Sequence, residues 1–521
     1  MIYQPEEGCI WDPTVLYVKD TYYMVSMYKP STSHNDNYMW LAKSEDGAHW
    51  QSVGSVIEDL RGVCKMYMYE TEDGIGLNFG SFSEGQRVNN DALRYYKSYD
   101  MINWEYVGEN HPDERWYKTT GRWDHMYVLK DGDTYYGYPV ATPHPDLKSA
   151  WGLCKSLDGH KWECMVPPMI EWGDIPIIDC LEGGGVEKIG DKYYYIGGFV
   201  GYAGNYGYGL YTFVSDNPEG PFKPDKDAFR LCGFNRLPGR VFVQNLAAFA
   251  RGKDGELLIS NAVDAGGPYE IRLLPLRKAI VDNDGHLRMG YWQGNEALKG
   301  RLIPITSQTQ NLIYASHLPD EKMPDNWIST EFSPDGNNLK ANVDGPNGPV
   351  VHDRFLLMKI DADVDLNKGI IYEGSFKAWS LPVYDEERHM THNWRPAEIG
   401  FFVEEEALDG NIKGMAITLE IGHPYKRYSH VKNISVENNI LKYDIVDSIT
   451  EDCAEVRGVD ACSEHTFKLL YRKNVFELYV DNMFVQTFVH LGKPTGYVGL
   501  YLQNSKVEIN DMKIYEMSLQ K

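Results

Sequence analysis

A seven-residue motif that returns at nearly even intervals constrains this chain more than any other feature in it. Ser44-Glu45-Asp46-Gly47-Ala48-His49-Trp50 recurs as Ser98-Tyr99-Asp100-Met101-Ile102-Asn103-Trp104 and as Ser156-Leu157-Asp158-Gly159-His160-Lys161-Trp162. A degenerate fourth copy runs from Ser215 to Phe222, and the four serines are 54, 58 and 59 residues apart. Such a period marks a set of similar supersecondary units, none of which buries its apolar faces alone. Each copy reads as a turn: Ser and Asp side chains bond nearby backbone, Gly accepts positive φ, and the aromatic packs between neighbouring units.

A second repeat runs out of phase with the first. Asp12-Pro13-Thr14 through Tyr22-Tyr23 reads as strand, tight turn, strand, and Asp124 to Tyr136 and Glu182 to Tyr195 repeat it. Weaker copies start near Cys64 and Asn245. Five units of about 50–60 residues with poor helical periodicity predict a five-bladed β-propeller over residues 1–300, with the first strand of each blade lining the channel. The stretch Tyr291 to Gly300 reads as a connector. Beyond it, alternating segments such as Phe355 to Ile360, Met415 to Ile421 and Val475 to Val480 lack the blade repeat. They predict a β-sandwich over 301–521, so the whole chain is expected to be all-β.

Charge and cysteine usage narrow the partners. Fifty-one basic against 75 acidic side chains give a net charge of −24, which repels nucleic acid and an anionic membrane surface. The sequence has no apolar run of bilayer length and no leader-like start, so a cytoplasmic location is expected. None of the eight cysteines forms a C-x-x-C pair, which fits free thiols in a reducing compartment. The 37 tyrosines suit both strand faces and sugar-stacking surfaces.

The second repeat places Asp12, Asp124 and Glu182 at one equivalent position, each opening the first strand of a blade. Equivalent positions on different blades point at the same axis, so the three carboxyls are expected to converge. The plain structural alternative, acids bonded to strand amides, accounts well for one of them and poorly for three in register. Converging carboxyls push one another's pKa up, so one can keep a proton while another stays ionised. Glycosidic cleavage needs that division of labour. Trp11, Trp40 and Trp123 offer flat faces to a sugar ring, and Arg122 is placed to hold Asp124 ionised and to bind hydroxyls. Gly183-Gly184-Gly185 reads as close backbone approach, not as a phosphate loop. No H-E-x-x-H or G-x-S-x-G element occurs. His125 and His144 read as polar channel or loop residues, and neither a metal nor a cofactor is expected.

These motifs resemble those of glycoside hydrolase family 32, the invertase, levanase and inulinase group, which pairs a five-bladed propeller with a C-terminal sandwich. Trp11-Asp12-Pro13 resembles its N-D-P motif, Arg122-Trp123-Asp124 its R-D-P motif, and Cys180-Leu181-Glu182 lies where the family has its E-C motif. The resemblance implies Asp12 as nucleophile, Asp124 as transition-state stabiliser and Glu182 as acid/base, with retention of configuration on a β-fructofuranoside-like bond in a short oligosaccharide. Three departures stand out: Trp11 replaces Asn, Trp123 splits Arg from Asp, and Gly183 follows Glu182 where Cys is usual. The Asp12-Pro13 start also resembles family 43, the arabinofuranosidases and xylosidases, where the first Asp activates water with inversion. A catalytically silent sugar-binding propeller is the reading from another class. The sandwich either packs on the propeller or builds a homo-oligomer, and the sequence leaves both open.

Overall fold

The computed structural model describes all residues except 31–36, 58–59, 83–88, 201–206, 233–243, 267–269, 308–309, 319–320, 323–328, 343–352, 361–363, 382, 386–389, 393–395, 408–410, 423–427, 439, 450–452, 491 and 521. The chain divides into two compact units, Met1–Ala297 with Leu519–Lys521, and Leu298–Ser518. No helix among the described residues is long and apolar enough to cross a membrane.

The first unit is a propeller of five antiparallel sheets. Blade one is β1 (Cys9–Val18), β2 (Thr21–Lys29), β3 (Tyr38–Ser44) and β4 (Gln51–Gly54). Blade two is β5 (Val63–Thr71), β6 (Gly74–Ser81), β7 (Leu93–Ser98) and β8 (Trp104–Asn110). Blade three is β9 (Trp123–Asp131), β10 (Thr134–Ala141), β11 (Leu153–Ser156) and β12 (Glu163–Met165). Blade four is β13 (Glu182–Ile189), β14 (Lys192–Val200), β15 (Tyr208–Ser215) and β16 (Lys223–Pro224), with β17 (Arg230–Cys232) also on β15. Blade five is β18 (Gln244–Arg251), β19 (Leu257–Asp264), β21 (Arg277–Val281) and β22 (Leu287–Tyr291), with β20 (Ile271–Leu273) on β19. Near the chain start, Tyr3 bridges Leu273 of β20 and so joins the first blade to the fifth.

The seven-residue repeat forms the turn between the third and fourth strands of a blade. Ser44 Oγ accepts the Gly47 amide at 2.9 Å, and Asp46 Oδ1 accepts those of Ala48 and His49 at 3.1 and 2.9 Å. Ser98 with Asp100 and Ser156 with Asp158 repeat the pattern at matching distances. The residue after Asp has positive φ in all three copies: Gly47 at 74°, Met101 at 70° and Gly159 at 75°. Glycine takes that conformation without penalty and Met101 does not. The Met101 side chain is buried in the core between the first two blades, and that packing offsets the strain.

The first strand of every blade carries a β-bulge near its start. Asp12-Pro13 stand opposite Ser26, Cys64-Lys65 opposite Gly80, Asp124-His125 opposite Val140, and Leu246-Ala247 opposite Asn261. In blade four the extra residue is Gly184. A bulge bends the strand and re-aims side chains, so a fivefold bulge presents an irregular rim on the first strands. The sequence predicts Asp12, Asp124 and Glu182 at one equivalent position, and the register corrects this. Asp12 and Asp124 occupy the bulge itself, whereas Glu182 lies ahead of its bulge, opposite Gly198.

Besides a two-stranded sheet, Val383–Asp385 with Met390–His392, the second unit has two large antiparallel sheets. One runs Met483–Val489, Val475–Val480, Glu464–Arg472, Ile370–Ser380, Ser505–Met517, Leu339–Asn342, Ser329–Phe332, with Lys299–Ile303 also on Ser505–Met517. The other runs Glu321–Lys322, Gln310–Leu318, Phe355–Ile360, Pro494–Gln503, Glu398–Glu405, Ile412–Glu420, Ser429–Glu437, Ile440–Ile449.

Candidate active site

The bulges bring four polar side chains from three blades to one place, and β13 adds a fifth. Asp12 sits at φ 51°, a left-handed backbone that Asp tolerates better than most residues. It is 7% exposed, and Lys65 beside Cys64 is 2% exposed. Asp124 and His125 are equally buried. Arg122, just before β9, ties the cluster together. Its Nη1 donates to Glu182 Oε1 at 2.7 Å and its Nη2 to Asp124 Oδ2 at 2.8 Å. One guanidinium therefore bonds two of the three acids. Asp12 is coupled electrostatically to Lys65, Glu182, Lys29 and Asp124, so all three carboxyls share one environment.

That environment gives the acids different protonation. Burial pushes the Asp12 carboxyl up to about 7, with Glu182 and Asp124 adding to the rise and Lys65 and Lys29 opposing it. Burial also acts on Asp124, but the charge of Arg122, the His125 side chain and the Arg122 hydrogen bond outweigh it; the His125 amide also donates to its Oδ1 at 2.8 Å. Asp124 stays well below the usual carboxylate range. At Glu182 burial is likewise overcome, by the Arg122 charge and hydrogen bond and by the Tyr208 hydroxyl, and the net shift is downward. Near neutral pH the cluster thus holds two carboxylates on one guanidinium and a third acid, Asp12, that carries the exchangeable proton.

Surrounding groups fix this geometry. His125 Nε2 lies 3.3 Å from the Gly183 carbonyl, which only accepts, so Nε2 carries the hydrogen. Tyr67 donates to the same carbonyl at 3.2 Å. Gly184 permits a tight approach, since a Cβ there would lie 2.1 Å from the Ala247 carbonyl oxygen, and one at Gly185 would strike the Tyr127 ring. Further along the same strands the buried Glu187 is held by Tyr127 and Arg251, so that carboxylate is already paired.

The aromatic expectations divide. Trp11 is half-buried, with Lys29 Nζ 4.8 Å from its ring centroid. Trp40 is half-buried on the third strand of blade one, stacked on Tyr28 at 4.4 Å and donating to the Tyr3 hydroxyl at 2.8 Å. Trp123 offers no face to a sugar: it is 0% exposed, sits in the core with Tyr95, Tyr117 and Met126, and donates to Asn110. The residue that splits Arg122 from Asp124 in sequence is thus a packing residue, because strand alternation turns it away from the side its neighbours use. Trp123→Ala is expected to cost about 3–5 kcal/mol of stability, measured by urea unfolding, with unchanged sugar affinity in the folded protein. His144 is a loop residue, its Nε2 3.0 Å from the Glu114 carbonyl.

Sequence reasoning missed Lys65, Tyr67 and Tyr208. The weak repeat at Cys64 marks the right strand, but a lysine in that register carries no acid signature. The sequence also shows no metal constellation, whereas the second unit gathers Glu398, Glu420 and His430 with ligand-type atoms all within 4.8 Å of one another. Those residues come from three strands, which no local spacing reveals. Lys432 already bonds Glu398 there, and His430 Nδ1 lies 2.9 Å from Ser448 Oγ.

No family model matches the sequence, and no curated protein matches it. Solved structures do. Sucrose-6-phosphate hydrolase from Lactobacillus gasseri aligns with a TM-score of 0.64 at 12% identity, covering 99% of this chain and 92% of that one. Fructan 1-exohydrolase IIa from Cichorium intybus aligns at 0.61 and 13%, covering 100% and 97%. The family 32 β-fructofuranosidase of Bombyx mori aligns at 0.60 and 12%, covering 99% and 92%. The chain has the fold of these enzymes over its whole length, a five-bladed propeller followed by a sandwich.

Proposed function

We propose that the protein is a glycosidase that cleaves a furanosyl bond of β-fructofuranoside type in short oligosaccharides, by hydrolysis or by transfer to an acceptor hydroxyl. The observation that carries this is the Arg122 bridge between Asp124 and Glu182, beside a buried Asp12 whose carboxyl is pushed up to about 7, in a fold shared with fructoside-cleaving enzymes. Structures of this fold include a Bombyx mori enzyme variant in complex with sucrose and a Cichorium intybus enzyme variant with 1-kestose.

In this reading Asp12 attacks the anomeric carbon and forms a glycosyl ester as the glycosidic C–O bond breaks. Glu182 gives its proton to the leaving oxygen. Water, or a sugar hydroxyl, then attacks the ester while Glu182 takes a proton back, and Asp12 leaves as carboxylate. One proton serves both acids: the pair must reach the state with Asp12 ionised and Glu182 protonated, which holds as many protons as the resting state. Asp124, fixed by Arg122 and the His125 amide, stays anionic beside the developing positive charge. A cytoplasmic location and a small imported substrate belong to the same proposal, supported by the free thiols of Cys9, Cys64, Cys154, Cys164, Cys180 and Cys462.

The test is a panel of sucrose, 1-kestose, aryl arabinofuranosides and aryl xylosides, with product release followed by chromatography and anomeric configuration by NMR. Release of fructose with retention is the expected result. Binding by calorimetry with no release from any member of the panel overturns the reading in favour of a silent sugar-binding propeller. Inversion on an arabinoside or xyloside overturns it in favour of a family 43-like mechanism.

A further inference from the structure

The cation supply around the three acids is unevenly spent. Arg122 bonds both Asp124 and Glu182. Asp12, 7% exposed, receives no hydrogen bond from any described residue. Lys65 is a 2% exposed lysine whose Nζ is buried and has no hydrogen-bond acceptor among the described residues. That ammonium lies over the Tyr67 ring, 5.1 Å from the centroid. A buried ammonium without an acceptor is costly alone.

The fold sets these two groups side by side. Asp12 and Lys65 lie on the matching bulges of β1 and β5, first strands of adjacent blades. Thr14, the first residue after one bulge, donates its hydroxyl to the carbonyl of Met66, the first residue after the other, at 2.9 Å. That bond fixes the two bulges in register. Lys29, the other cation acting on Asp12, is placed over the Trp11 ring. Where the resembling motif has an amide side chain directly before the acid, this chain has that indole.

We propose that Lys65 is the positioning residue of the nucleophile: its buried ammonium is the cation that allows Asp12 to ionise in a site where Arg122 is committed to the other two acids. The role of Asp12 as nucleophile rests on the proposed function above, whereas the control of its proton by Lys65 does not. The groups facing Asp12 are Lys65 and Tyr67 from β5, Lys29 from β2, Asp124 from β9, Glu182 from β13, Tyr208 from β15 and the Cys64 thiol. Glu182 and Asp124 disfavour its anion, and of the two cations Lys65 acts more strongly. The reciprocal effect is visible: burial lowers the Lys65 ammonium below the ordinary lysine value, and Asp12 is the first group to raise it again.

The experiment titrates Asp12 directly in the full chain. Protein labelled with [4-13C]aspartate is followed by carboxyl 13C NMR against pH, with Asp12→Asn identifying the resonance. The wild-type midpoint is expected near 7. Lys65→Met is expected to move it upward by about 1–3 units, the range an opposite charge at close quarters supplies. Lys65→Arg is expected to restore it, and Lys29→Met to move it less. An unchanged Asp12 midpoint in Lys65→Met overturns the proposal, as does a larger shift from Lys29→Met. Should Lys65→Met not fold, Lys65→Gln gives the same comparison. A protein inactive on every furanoside would still give this titration, so failure of the glycosidase reading and failure of the Lys65 assignment are separate results. In an active protein the alkaline limb of kcat/KM moves with the NMR midpoint in Lys65→Met. A merely structural lysine would lower the amplitude without moving that limb.

Discussion

Glu182→Gln is expected to lower kcat on a furanoside about 10²–10⁴-fold, the usual worth of a positioned general acid/base, with sugar affinity nearly unchanged. The amide keeps a carbonyl oxygen for Arg122 Nη1, which now bonds Glu182 at 2.7 Å, so the clamp survives while the proton donor is lost. Leaving-group dependence provides the discriminating reading. An aryl furanoside with an acidic phenol leaves without protonation, so its first step is spared and the deficit falls on sugars with poor leaving groups. The wild-type pH profile follows from the shared proton. Asp12 is raised to about 7 and Glu182 is lowered, so the pair keeps one proton across the acid range and loses it as pH rises through about 7. Activity of the free enzyme is therefore expected to fall on the alkaline side of neutrality. Equal turnover in Glu182→Gln and wild type on sucrose would remove Glu182 from the mechanism.

How much of this was readable from the chain depends on the scale of the signal. The first three blades were legible because they contain the same turn chemistry, and a serine accepting from the amide three residues on needs only local sequence; the other two were legible from the weaker copies and the strand–turn–strand repeat. The acids were legible for a related reason: they sit at similar distances from their turns. The bulges were not, because a bulge is a statement about two strands, and it separates Asp12 and Asp124 from Glu182 in register. Trp123 was misread because a tryptophan between Arg122 and Asp124 resembles a sugar platform in one dimension, while strand alternation buries it completely. Lys65 went unseen because its meaning is relational. It becomes informative only when Arg122 is found bonded to the other two acids and Asp12 has no donor among the described residues.

Arg122→Met is expected to be the most damaging single change for stability and activity together. In the folded protein the Arg122 side chain is three-quarters buried, with an exposure of 25%, and its guanidinium bonds Asp124, at 4%, and Glu182, at 30%. Removing it strands two neighbouring carboxylates in a desolvated site, a loss of about 3–5 kcal/mol for a broken buried pair. The deficit has a sign in pH. Both carboxyls are held below their ordinary values, so in the wild type their stabilisation is complete above the unfolded carboxylate range, near 4, and fades as pH falls through the depressed folded values. Without Arg122 the same groups are driven upward by burial and by each other, and they fold most easily when protonated. Urea unfolding should show the largest difference between variant and wild type near neutral pH and a smaller one in mildly acidic buffer. Arg122→Lys is expected to recover part of the stability and little of the activity, because an ammonium is a point charge and does not span two carboxylates as a planar fork does. A variant as stable as wild type at neutral pH, with a parallel pH dependence, would mean that the clamp does not set the charge state of the two acids.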